Sequence, residues 1–74
     1  MDNTPACVRA VLDKPGKYRF NQTAWFWYFE VDARRRVYQL TPDTLRRDGV
    51  LSPDGWNECA ASGTVTPLLV ADAT

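Results

Sequence analysis

Residues 24–32 read Ala24-Trp25-Phe26-Trp27-Tyr28-Phe29-Glu30-Val31-Asp32. Five consecutive aromatic side chains suit a β-strand far better than a helix, so this segment is expected to be the central strand of a sheet. Period two then sends Trp25, Trp27, Phe29 and Val31 to one face and Phe26, Tyr28 and Glu30 to the other. Both faces are apolar, and that fact shapes the rest of the reading.

Working outward, Asp32-Ala33-Arg34-Arg35 reads as a four-residue turn that the Asp32 side chain can cap, and Arg36-Val37-Tyr38-Gln39-Leu40 returns as an antiparallel partner. With Val31 opposite Arg36, Phe29 meets Tyr38 and Trp27 meets Leu40, which gathers Trp25, Trp27, Phe29, Tyr38 and Leu40 on one face. A one-residue slip breaks that match. Upstream, Asp13-Lys14-Pro15-Gly16 carries the signature of a type II turn, and Lys17 to Phe20 follows as a short strand with Tyr18 and Phe20 on one face. Ala6 to Leu12 offers a first strand or, alternatively, a short helix.

Downstream the same phrase occurs twice. Thr41-Pro42-Asp43 and Ser52-Pro53-Asp54 each supply an N-cap hydroxyl, a proline at the first helical position and an acid at the positive end of the dipole. Helices are expected over 43–48, ending at Gly49, and over 54–62, ending at Gly63, with Leu45 and Trp56 docking them onto the sheet. Thr64 to Thr66 adds a last strand, confined to an edge by Pro67. The expected fold is α+β: a three- or four-stranded antiparallel sheet with two short helices packed on one face. Seventy-four residues without a repeat or long linker form one domain, 1–74, with 1–5 and 72–74 frayed. A chain this short buries only about 60% of its unfolded surface, so its core is small.

Several chemistries are excluded or weakened. The chain has no histidine, hence neither the commonest general base nor the commonest metal ligand. Cys7 and Cys59 stand far apart in sequence with no neighbouring cysteine, which matches no zinc spacing and leaves a nucleophile without a partner. The four glycines are scattered, so no phosphate loop exists. The reading is therefore non-enzymatic, without cofactor or metal. Residues 1–10 lack the apolar core of a signal peptide, and the longest apolar runs, 24–29 and 67–71, fall far short of the roughly 20 residues that span a bilayer. A cytoplasmic location is expected.

Nine basic and nine acidic side chains cancel, yet residues 1–47 hold all nine bases against five acids, and 48–74 hold four acids and no base. Arg34, Arg35, Arg36, Arg46 and Arg47 crowd into one stretch that contains a single acid, Asp43. Two short helices cover only one sheet face, so either the N-terminal segment folds over the other or Phe26, Tyr28 and Val37 stay partly exposed beside those arginines. Aromatic groups rimmed by arginine are the composition of a protein-binding hot spot. The candidate surface is Phe26, Tyr28 and Val37 as apolar centre with Arg34, Arg35, Arg36, Arg46 and Arg47 as charged rim. An acidic protein surface is the first partner class, a solvated hairpin tip guarding an edge is the bland alternative, and single-stranded nucleic acid stacking on Phe26 and Tyr28 is another. A structural subunit that self-associates through the aromatic face is a further possibility.

The stretch Leu40 to Asp54 is similar to a helix-turn-helix of the small excisionase-like proteins, with Gly49 in the turn. Its recognition helix would present Asp54 and Glu58 and no base, the wrong sign for a DNA groove. The overall plan of a free N-terminus, an aromatic hairpin over 25–40 and two minimal helices resembles the small phage-encoded proteins that bind host machinery, among them regulators of bacterial RNA polymerase and inhibitors of CRISPR effector complexes. The resemblance implies a non-enzymatic chain that controls a polymerase or nuclease by occupying a surface of it. No family motif accompanies it, so no residue roles transfer.

Overall fold

Four strands follow one another as a meander, and a fifth returns to the far side of the first. The computed structural model describes residues 2–68. A four-residue helix, α1 (Ala6–Arg9), precedes β1 (Gly16–Asn21), β2 (Phe26–Val31), β3 (Val37–Leu40) and β4 (Arg47–Leu51); two 3₁₀ turns, Pro53–Gly55 and Glu58–Ser62, lead into β5 (Thr64–Pro67). The sheet order is β4-β3-β2-β1-β5, antiparallel throughout. The expected antiparallel sheet is present with five strands, and a single short helix and two 3₁₀ turns stand where two packed helices were expected.

Register decides the faces. Tyr18 opposes Phe29, Phe20 opposes Trp27, and Val31 opposes Val37, so these six side chains share one face. Val8 of α1, Trp56 and Ala60 close over it, and Phe20 and Phe29 are fully buried. Tyr18 stacks on Phe29 at 5.4 Å, and Phe20 lies 5.6 Å from Trp56. Each such ring contributes about 1.5–3 kcal/mol through burial alone. The Tyr18 hydroxyl donates to the Lys14 carbonyl, which satisfies the one polar atom of that ring.

The sequence register is off by one residue. Val31 opposes Val37 rather than Arg36, which moves Tyr38 and Leu40 to the face of Tyr28 and Glu30 and sends Val37 into the core. The cause is the turn. Asp32 N–H donates to the Arg36 carbonyl and Arg35 N–H to the Asp32 carbonyl, so three residues, not four, lie between the closing pair, with Arg35 in the left-handed region at φ 65. Asp32 does cap the turn as expected: its Oδ1 accepts from the N–H groups of Arg34 and Arg36 at 2.9 and 2.8 Å.

The helix expected over 43–48 is a turn followed by a strand. Thr41-Pro42-Asp43 does start one helical turn, with Leu45 N–H donating to the Thr41 carbonyl at 2.8 Å. Leu45 then adopts φ 55, and the Thr41 N–H closes onto the Arg46 carbonyl, so the chain reverses into β4. Gly49, at φ 112, sits in the register shift between the Tyr38–Val50 and Leu40–Arg47 pairs instead of capping a helix. A helix-turn-helix over 40–54 is thereby excluded. The second phrase yields one 3₁₀ turn at Pro53 and another capped by the Asn57 side chain, which accepts from Ala60 N–H at 3.1 Å. Between them Trp56 docks onto the sheet as expected.

Ala6–Arg9 is helical, the alternative left open for that segment, while β1 and β5 lie where strands were expected. In the N-terminal segment Asn3 N–H donates to the Pro53 carbonyl, and Thr4 is buried. Residues 72–74 lie outside the described part. Among the described residues no helix is long and apolar enough to cross a membrane.

Candidate protein-interaction surfaces

The outer face of the sheet carries Lys17, Arg19, Phe26, Tyr28, Glu30 and Tyr38 by register. Leu40 belongs to this face too, yet it is only 2% exposed. The turn over 41–46 supplies the cover: Lys17 Nζ reaches across to the Leu45 carbonyl at 3.3 Å, and Leu45 is half-buried. The N-terminal segment covers the opposite, core face, through Val8. What remains open on the outer face is Phe26, 47% exposed, and, on the edge strand opposite Tyr38, Val50, 62% exposed. The Arg19 guanidinium lies 3.8 Å over its ring, and Tyr28 meets it edge-on at 5.8 Å. Arg19 Nε is buried without a hydrogen-bond partner, so the ring face provides its principal compensation.

Arg47 is held inward on itself. Its Nε donates to Glu30 Oε1 at 3.0 Å and its guanidinium lies 4.1 Å over Tyr38, so it braces the face instead of offering a free charge. The carboxylate beside it raises the Arg47 pKa above its already high value.

The five arginines and three apolar residues expected to form one surface are divided by the fold. Phe26, Tyr28 and Arg47 come together on the outer face. Val37 does not join them; it is 6% exposed and belongs to the core, a consequence of the register shift. Arg46 stands exposed in the turn before β4. Arg34, Arg35 and Arg36 project from the other end of β2, on the order of 17 Å from Phe26 for a six-residue strand. None of Arg34, Arg35, Arg36 and Arg46 has an ion pair or side-chain hydrogen bond among the described residues.

Two clefts flank the shared wall of Leu51 and Trp56. One, of about 190 Å³, is lined by Trp25, Trp27, Gln22, Gln39 and Asn57. Trp25 is 56% exposed there and stacks 6.4 Å from Trp27. The other, of about 280 Å³, is apolar apart from Thr4, Ser52 and the two arginines, Arg35 and Arg36. Sequence reasoning missed Arg19, although its place between Tyr18 and Phe20 assigns it to the outer face by alternation. It missed the second cleft altogether, because Val50 and Leu51, the β4 residues that line it, were read as the link between two helices. Among the described residues no group of three His, Cys, Asp or Glu side chains could hold a metal ion. Compared with known protein families, with curated proteins and with solved structures, the chain matches none.

Proposed function

We propose that this chain is a non-enzymatic protein-interaction module that acts by occupying a surface of a large host complex, with bacterial RNA polymerase the first partner and a CRISPR effector complex the alternative. The observation that carries the reading is Phe26, held half-exposed between Arg19 and Tyr28. A rigid apolar ring already paired with a guanidinium needs little ordering on binding, and Arg and Tyr are the residues that concentrate binding energy at interfaces. The same geometry disfavours the nucleic-acid reading. Arg19 occupies a face of Phe26 and Arg47 a face of Tyr38, and Glu30 stands between them, so the rings are engaged internally where bases would stack.

The test uses purified RNA polymerase and, separately, a purified CRISPR effector complex, with nuclease-treated chain at moderate salt. Co-elution with either, weakened at least about tenfold by Phe26→Ser, supports the module and its face; a truncated interface anchor typically costs about 1–2 kcal/mol or more. Binding undiminished by Phe26→Ser removes the face from the reading, and absence of binding to both complexes removes the partners.

A further inference from the structure

Arg35 and Arg36 stand at the rim of the cleft whose walls are Leu12, Val37, Val50, Leu51, Pro53 and Trp56. No acidic side chain lines it. The nearest carboxylate in the turn, Asp32, is committed elsewhere: Oδ1 accepts from two backbone N–H groups and Oδ2 accepts from the Tyr38 hydroxyl at 3.2 Å. Arg35 and Arg36 thus line an apolar cleft and have no ion pair among the described residues.

The backbone adds a second observation. Arg35 occupies the left-handed region, which costs an L-residue about 1–2 kcal/mol and which glycine would adopt freely. Here a strained turn presents a charge beside a cleft, the association in which strain points to function. Volume narrows the occupant. At about 280 Å³ the cleft lies just below the roughly 300–1,000 Å³ typical of small-molecule and cofactor sites, a size suited to one or two apolar side chains. β4, at the edge of the sheet, contributes Val50 and Leu51 to its lining, so an extended segment can lie beside the strand.

We propose that this cleft takes an extended acidic segment of a partner protein, which packs one or two bulky apolar side chains against Leu51 and Trp56 while its carboxylates pair with Arg35 and Arg36. The proposal rests on the interaction-module reading and supplies the partner's chemistry. It is independent of the Phe26 face.

The probe is a fluorescein-labelled ten-residue peptide with two adjacent leucines flanked on each side by four glutamates, titrated with the protein and read by anisotropy at low salt. The expected result is saturable binding that falls about tenfold or more in the Arg35→Gly, Arg36→Gln double variant and when glutamine replaces glutamate or alanine replaces leucine in the peptide. Arg35→Gly is chosen because glycine preserves the turn. Absence of binding by the folded protein, or binding unchanged in the double variant, overturns the proposal. Loss of peptide binding in Phe26→Ser alone moves the site to the outer face, which overturns the cleft and leaves the module standing. Sedimentation at two protein concentrations tests a second copy as occupant, since residues 48–74 hold four acids and no base. Self-association abolished by the double variant would make that copy the occupant and overturn the partner segment.

Discussion

Replacing Gly63 by alanine tests whether the last 3₁₀ turn is sealed against the core as tightly as the structure shows. Gly63 has φ −79, an ordinary value, so alanine brings no backbone strain. The obstacle is space: a Cβ there would lie 2.3 Å from Cζ of Phe20 and 2.8 Å from both Cε atoms. Phe20 cannot swing away, because it is fully buried, with Trp27 at 5.2 Å and Trp56 at 5.6 Å. Overpacking a tight core costs about 1–3 kcal/mol, and the upper half of that range fits a clash with a ring that has nowhere to go. For a domain of this length, a loss of about 2–3 kcal/mol lowers Tm by roughly 10–20 °C, a large part of a total stability on the order of 4–11 kcal/mol. Thermal unfolding followed by circular dichroism reads the shift. Phe20→Leu, itself destabilising, opens space for the new methyl, so in that background Gly63→Ala should cost less than half as much, a non-additivity specific to the contact. A Gly63→Ala variant melting within about 2 °C of the parent, or a strictly additive double variant, would show that β5 and the turn before it do not approach Phe20 in this way.

Gly55→Ala supplies the opposite sign: its Cβ meets only Ser52 Oγ at 3.6 Å, and loss of unfolded-state freedom should stabilise the chain by about 0.4–1 kcal/mol, read in the same melts. Arg35→Gly relieves the left-handed turn residue and should raise Tm by a few degrees while weakening partner binding; a lower Tm would mean the Arg35 side chain contributes to packing after all. The backbone N–H of Arg36, with Arg34 and Tyr38, holds the Asp32 carboxyl below its ordinary pKa. Because the folded value is the lower one, the stabilisation is present above the unfolded pKa of about 3.9 and is lost as pH falls through the folded value. Asp32→Asn should therefore flatten the acid limb of the Tm profile below about pH 4, and an unchanged limb would refute the assignment. Cys7 and Cys59 are both free thiols, and burial pushes Cys7 up in pKa while Cys59 is exposed. A disulfide-exchange reagent at pH 8 should titrate two thiols in two phases, Cys59 first; a single fast phase or fewer than two thiols would contradict this placement.

The aromatic run made the central strand legible, since no helix accommodates Trp25 to Phe29, and the alternation of Tyr18 and Phe20 placed β1 beside it. Pro67 marked an edge strand for a reason that holds in the structure: β5 is the outermost strand on its side. The expected capping held only in part: Thr41 Oγ1 accepts from Arg46 N–H at 3.1 Å, whereas Ser52 makes no side-chain cap and Asn57, not singled out in the sequence, caps the last 3₁₀ turn. What a cap cannot report is how far the turn continues. Thr41 begins a helical turn whose length is set by whether residues 47–51 gain more by continuing it or by pairing with β3. Val50 and Leu51 pair opposite Tyr38 and Val37. Of the candidate site, the aromatic and arginine groups were identified from composition and charge, but their grouping depended on register, and one residue of register separated Val37 from Phe26.

Two of the departures from the sequence reading, the register of the hairpin and the loss of the first helix, share one physical origin. Arg35 and Leu45 are the positive-φ residues, other than glycine, among those described, and they occupy the two turns that were misread. Sequence reasoning assigns the left-handed region to glycine because every other residue is strained there, so it had no reason to end a turn at a leucine or to shorten one at an arginine. The strain is tolerated where fixed contacts surround it. Asp32 bonds the backbone on both sides of Arg35, and Lys17 holds the carbonyl of Leu45 from two strands away. Each strained residue also lies beside one of the two surfaces: Arg35 lines the cleft, and Leu45, whose carbonyl Lys17 reaches, sits in the turn that follows Leu40. A chain selected for stability alone would place glycine at both turns. The conflict between local preference and fold therefore falls beside the surfaces proposed to bind a partner, the pattern expected when backbone strain serves function and the surrounding contacts offset its cost.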